Sequence, residues 1–195
     1  MDSSESIAKF FYNIVPGILF IFFLHFYKIN FVSEKTDVAI TIFLLIIFGL
    51  ALGFVFQALT KIFRNIFDLD LISVLRVTTK DENAYNEARK ELLKKNLILK
   101  NDDKKKCFYI MDNYLRGRGT VSFIVEHFSA RFAFWSNIFV GTLLLITILF
   151  LNKPPDCPYE WFMAILVFSG WASMEYLRIL YDSILKTFIS VVKLK

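Results

Sequence analysis

The sequence predicts an all-α polytopic membrane protein with four transmembrane helices and a cytoplasmic helical insert between helices 2 and 3. Three observations predict it. Val38 to Thr60 is a run of 23 residues with no charge and a single amide, Gln57. At about 1.5 Å per residue, a helix of that length covers the roughly 30 Å hydrocarbon core of a bilayer. The whole chain is 56% hydrophobic with 23 Phe, above the roughly 45–50% of soluble domains, and the excess falls in four blocks. Between the second and third blocks, residues 61–131 carry 15 Lys and Arg against 10 Asp and Glu, and long apolar runs vanish.

Residues 1–60 form the N-terminal transmembrane hairpin, with spans at about 10–27 and 38–60. Met1 to Lys9 is polar, and Phe10 to Tyr27 follows with 18 uncharged residues. This stretch lacks the basic leader and small-residue cleavage pattern of a signal peptide, so it is expected to be retained. Pro16-Gly17 near its middle is expected to bend it, and His25 reads as interfacial. In the second span, Gly49 and Gly53 make a small-xxx-small pair that permits close helix contact. The pair serves either self-association or packing within one subunit.

Residues 61–131 form the basic insert. The segment IFRNIFDLDLISVLRV places Ile62, Ile66, Leu69 and Ser73 near one face, as in a helix continuing out of the membrane or lying on its surface. Thr79-Lys-Asp-Glu82 fits a capping box for the next helix, DENAYNEARKELLKKN. That helix offers Ala84, Ala88 and Leu92 as a narrow apolar face. Asn101-Asp102-Asp103 can cap a third helix, KKKCFYIMDNYLRG, which Arg116-Gly117-Arg118-Gly119 ends with glycines suited to a left-handed turn.

Residues 132–195 form the C-terminal hairpin, with spans at about 132–152 and 159–180 and a basic tail. Phe132 to Asn152 is 21 uncharged residues, with Trp135 near one end as an aromatic anchor and Asn137, Gly141 and Thr142 as packing or polar features. Only Trp161 to Met174 of the last span is free of charge. It reaches bilayer length only if Glu175 enters the lipid boundary, where Arg178 can pair with it or snorkel. The positive-inside rule places the insert and both termini in the cytoplasm of a bacterial inner membrane. Cys107 and Cys157 then lie on opposite sides, which disfavours an intrachain disulfide.

Chemistry leaves little trace. Walker, GxSxG, HExxH and CxxC motifs are absent, and two histidines with two cysteines give almost no material for a His/Cys metal site. No catalytic residue, metal or cofactor is expected. Glu126-His127 is the one acid–histidine pair of the insert, but neighbours on a helix diverge by about 100°. Lys104, Lys105, Lys106, Arg116 and Arg118 are the strongest electrostatic features. They read as a topology determinant with a solvated face, as lipid-headgroup contacts, or as contacts to RNA or an acidic protein surface. Glu175 reads as a salt-bridge partner of Arg178, or as part of an inter-subunit or pore surface with Gln57 and Asn137.

The span pattern and the approach to the third span, LRGRGTVSFIVEHFSARFAFWSN from Leu115 to Asn137, resemble the small four-pass accessory membrane proteins encoded beside type VI-B CRISPR effectors. The resemblance implies a non-enzymatic modulator of an RNA-guided, RNA-cleaving effector in antiviral defence, with that effector or its RNA as partner. A sister accessory protein of such loci is associated with an Arg-x(4–6)-His nuclease motif. Here Arg118 lies nine residues before His127 and Arg116 eleven, so nuclease activity does not carry over. The alternative reading is a small oligomeric channel or membrane-perturbing effector with its own trigger. A homo-oligomer in the lipid bilayer is expected in either case.

Overall fold

The computed structural model describes residues 3–27, 38–118, 123–154 and 157–193. Among them are seven helices and no strand: α1 Ser3–Phe26, α2 Val38–Ile66, α3 Leu69–Lys80, α4 Glu82–Lys94, α5 Lys104–Gly117, α6 Phe123–Asn152 and α7 Tyr159–Lys193. Three carry stretches long and apolar enough to cross a membrane, Ile42–Ile66, Val125–Asn152 and Tyr159–Lys193; the apolar part of α1, Ile14–Phe26, is shorter. Their outward side chains are those of a lipid-facing surface: Phe43, Ile46, Ile47 and Phe54 on α2, and Trp161, Val167 and Trp171 on α7, are all exposed. Water tolerates few apolar patches of that extent.

The chain divides into two compact units, Met1–Phe63 with Ala130–Ser173, and Arg64–Ser129 with Met174–Lys195. In the first, α1 runs through Pro16 without losing its helical assignment. The core gathers Phe20, Ile21 and Leu24 of α1, Phe56 of α2, Val140, Leu145 and Leu149 of α6, and Phe162 of α7. Phe20 meets Phe56 edge-on with ring centroids 5.3 Å apart, an arrangement favoured by the ring quadrupoles. Two glycine contacts set the helix spacing. A Cβ on Gly17 would stand 1.9 Å from the Gly49 carbonyl oxygen, and one on Gly141 would stand 2.9 Å from the Phe56 ring. At Gly49 the small face of α2 thus meets α1 of the same chain.

The second unit is a helical lobe with its own core. Val74 and Val77 of α3, Tyr85, Ala88 and Leu92 of α4, Cys107, Phe108, Met111 and Leu115 of α5, and Leu177, Ile184, Leu185 and Phe188 of α7 are buried. These positions recur at three- and four-residue spacing, as helix packing on a common core requires. Each of the larger ones contributes about 1.5–3 kcal/mol of transfer free energy. The segment read as a basic tail is therefore helix with a buried stripe. Phe108 meets Tyr181, and Tyr114 meets Phe188, both edge-on with centroids 5.4 Å apart. Lys193 pairs with Glu87 at 3.0 Å.

Element ends depart from the sequence expectation in informative ways. The cap of α4 is Asp81, whose side chain accepts from the Ala84 amide at 3.1 Å. Thr79 turns its hydroxyl back to the carbonyls of Leu75 and Arg76 in the last turn of α3, so the expected capping box does not form. Asp103 caps α5 through the Lys106 amide, as expected. Left-handed residues follow α4 at Asn96, with φ 54°, and α6 at Lys153, with φ 46°. The Asn96 amide bonds the Leu93 carbonyl and the Leu97 amide that of Leu92, both at 3.0 Å, which is the Schellman pattern. The turn expected at Gly119 lies outside the described residues. Asp68, at φ 42°, breaks the chain between α2 and α3, so α3 is a separate helix and not an extension of the span.

Candidate functional site

The five basic residues singled out from the sequence all stand on or just after α5, and each is engaged within the lobe. Asp102 folds back to accept the Leu99 amide at 2.8 Å and Lys106 Nζ at 2.7 Å. That pairing holds the Asp102 carboxyl below its ordinary range and raises the Lys106 ammonium. Lys105 reaches Asp68 at 2.6 Å, and this hydrogen bond lowers the Asp68 carboxyl. Lys104 donates to the Thr78 hydroxyl at 3.2 Å and lies 5.7 Å from the centre of the Tyr85 ring. Arg116 pairs with Asp112 one turn earlier at 2.9 Å. Arg118 stacks over Tyr114, 4.6 Å from its centroid, a cation–π contact. Three of the five charges are neutralised by acids and two rest against aromatic faces.

A second polar group joins α3 to the C-terminal part of α7. Asp70 accepts from Arg64 Nε at 2.7 Å and from the Tyr181 hydroxyl at 2.8 Å. Sequence separation conceals this site: Asp70 and Tyr181 are 111 residues apart. Glu175 is bound in a fork by Arg178, with Nε at 3.1 and 3.0 Å from the two carboxylate oxygens. Arg76 and Lys80 of α3 also act electrostatically on Glu175. Three cations thus act on one carboxylate, Arg178 by direct contact. Arg76 and Lys80 are exposed, and sequence reasoning passed over them because neither belongs to a run. Their spacing of four on a helix just after a span was the available signal.

The polar residues of the spans differ in burial and partners. Gln57 is exposed, whereas Asn137 is fully buried and accepts from the Thr60 hydroxyl at 3.4 Å. Ser136 and Ser173, also buried, share a hydrogen bond of 2.7 Å between α6 and α7, the kind of polar link that joins helices in lipid. Glu175 belongs to the other unit and is held by Arg178. Gly49 and Gly53 are both buried.

Glu126 and His127 are half-buried neighbours on α6, and the imidazole lies edge-on to Phe128, 5.8 Å away. Among the described residues, no three His, Cys, Asp or Glu side chains come together as a metal-holding group. Both cysteines are free; Cys107 is buried, and burial raises its thiol. No family model, curated protein or solved structure matches the chain.

Proposed function

We propose that this chain is a non-enzymatic accessory protein of a bacterial inner membrane, crossing it four times, with both termini and the α3–α5 lobe on the cytoplasmic side. In this reading α1 supplies the fourth span. The lobe is the receiving surface for an RNA-guided CRISPR effector or its RNA, and the protein modulates that effector in antiviral defence. The observation that supports a membrane-held binding module is the lobe itself. It has a dedicated apolar core, and two of the apolar helices, α6 and α7, contribute residues to it. A partner that pulls on the lobe therefore pulls on helices that continue into the membrane, and span packing is what would change.

The test is co-purification. The full chain in detergent, incubated with the effector of its own locus and guide RNA, is expected to retain the effector. Absence of retention at low salt, where charge contacts are strongest, overturns the effector assignment. Conductance in liposomes holding the chain alone would establish the channel reading in its place.

A further inference from the structure

The helix α3 presents two faces of unlike character. Ser73, Val74, Val77 and Thr78 are buried in the lobe, and Asp70 is turned inward to Arg64 and Tyr181. The opposite face exposes Leu71, Ile72 and Leu75 at 37, 40 and 42%, with Thr79 beside them and Arg76 and Lys80 exposed along one edge. At about 100° per residue, the three aliphatic side chains fall within one 100° sector, and the two cations follow at its border. The exposed face of this helix carries no acid. In water three exposed aliphatic side chains on one short helix are unfavourable. At a bilayer surface the same pattern is complementary: apolar groups enter the acyl boundary and cations meet phosphate.

Chain continuity narrows the occupant. The uncharged run of α2 ends at Thr60, Lys61 and Arg64 follow before the helix ends at Ile66, and α3 begins at Leu69 after the left-handed turn at Asp68. A helix that starts nine residues beyond that run, past the two cations Lys61 and Arg64, starts outside the hydrocarbon core and within reach of the headgroups. Ile66 and Phe67, at 69 and 58% exposed, carry the apolar surface up to the turn. The charge balance agrees, since Arg76 and Lys80 act on Glu175, a carboxylate already paired with Arg178.

We infer that α3 is an interfacial helix. Leu71, Ile72 and Leu75 sit in the acyl boundary of the leaflet that faces the lobe, and Arg76 and Lys80 hold the phosphates of anionic lipids. This inference rests on the membrane reading above and is independent of the effector. Such a helix settles about 5–10 Å into the headgroup boundary and makes the lobe sensitive to the lipid composition beneath it.

The test uses the full chain in nanodiscs, in a Cys107→Ser, Cys157→Ser background. Nitroxide labels are placed singly at Leu71→Cys, Leu75→Cys and, as a reference within a span, Phe54→Cys. Accessibility to oxygen against a water-soluble nickel complex reports depth. Labels at 71 and 75 are expected in lipid, shallower than the label at 54. A second arm measures lipids retained by the purified chain. Arg76→Gln with Lys80→Gln is expected to lower the preference for phosphatidylglycerol over phosphatidylcholine by on the order of tenfold. Water-exposed labels at 71 and 75, with 54 in lipid, overturn the inference alone. A water-exposed label at 54 overturns the membrane reading with it. Labels at 71 and 75 that are shielded equally in lipid-free detergent micelles and in nanodiscs, with no change in lipid preference for the double variant, identify a second protein surface as occupant and also overturn it.

Discussion

At Gly17 the absent side chain is what positions the helix. A Cβ on Gly17 would stand 1.9 Å from the Gly49 carbonyl oxygen, and one on Gly49 would stand 2.6 Å from the Ile18 side chain. Backbone cannot rotate out of the way as a flexible side chain can, so an added methyl must push α1 from α2. Gly17→Ala is expected to destabilise the chain in detergent by about 1–3 kcal/mol. Gly117→Ala, with nothing within 4 Å of the added Cβ, should leave stability within about 0.5 kcal/mol. Thermal unfolding followed by far-ultraviolet dichroism compares them; equal midpoints would refute the close crossing. The Gly49–Gly53 pair was legible in the sequence as a contact face. Its partner was not, because Gly17 beside Pro16 reads as a bend rather than as a docking surface. Thr79 misled for a related reason. A threonine three residues before a glutamate fits a cap by spacing, but Asp81 stands at the actual helix break and offers the stronger acceptor.

Among the elements, α7 departs most from its sequence reading. Charge at Asp182, Lys186 and Lys193 makes the last third of this helix, beyond the expected span, look like a basic tail. The structure pairs Arg178 with Glu175 and Lys186 with Asp182 along the helix, the latter at 2.7 Å, and Lys193 with Glu87 of α4. The stripe from Leu177 through Ile184 and Leu185 to Phe188 is left for the lobe core. A hydropathy average sees the charges and misses the stripe. Asp70 fastens this part of α7 to α3. Tyr181→Phe removes one hydrogen bond and is expected to cost about 1 kcal/mol. Asp70→Ala removes the acceptor shared by Tyr181 and Arg64, and about 1–3 kcal/mol is expected. Hydrogen exchange resolves the effect: both changes should speed exchange in α3 and around residue 181, in that order of severity, with little change in α1. Equal protection in all three proteins would show that Asp70 does not hold these helices.

For the molecule as a whole, the segregation of apolar blocks from a basic middle segment was readable directly from composition, because lipid admits so few charges. The lobe's helices were readable too, from their apolar spacing and the Asp103 cap. How the charges are used was not readable. Asp68 meets Lys105 across 37 residues, and no local pattern announces such a pair. Orientation is the prediction that belongs at this scale. In a variant lacking Cys107 and Cys157, single cysteines at Lys90 and Lys100, both exposed, should resist a membrane-impermeant maleimide in intact cells and react after permeabilisation. Labelling in intact cells would place the lobe outside and end the effector proposal.

The lysines and arginines of α5 have a consequence for how anything finds this surface. With their charge matched by Asp68, Asp102 and Asp112 or resting on aromatic rings, they project little field beyond a Debye length. Long-range guidance at that helix comes from Lys104 and Arg118, so ionic strength should alter its tightness less than five free cations would. Whatever docks there is chosen by contour as much as by charge.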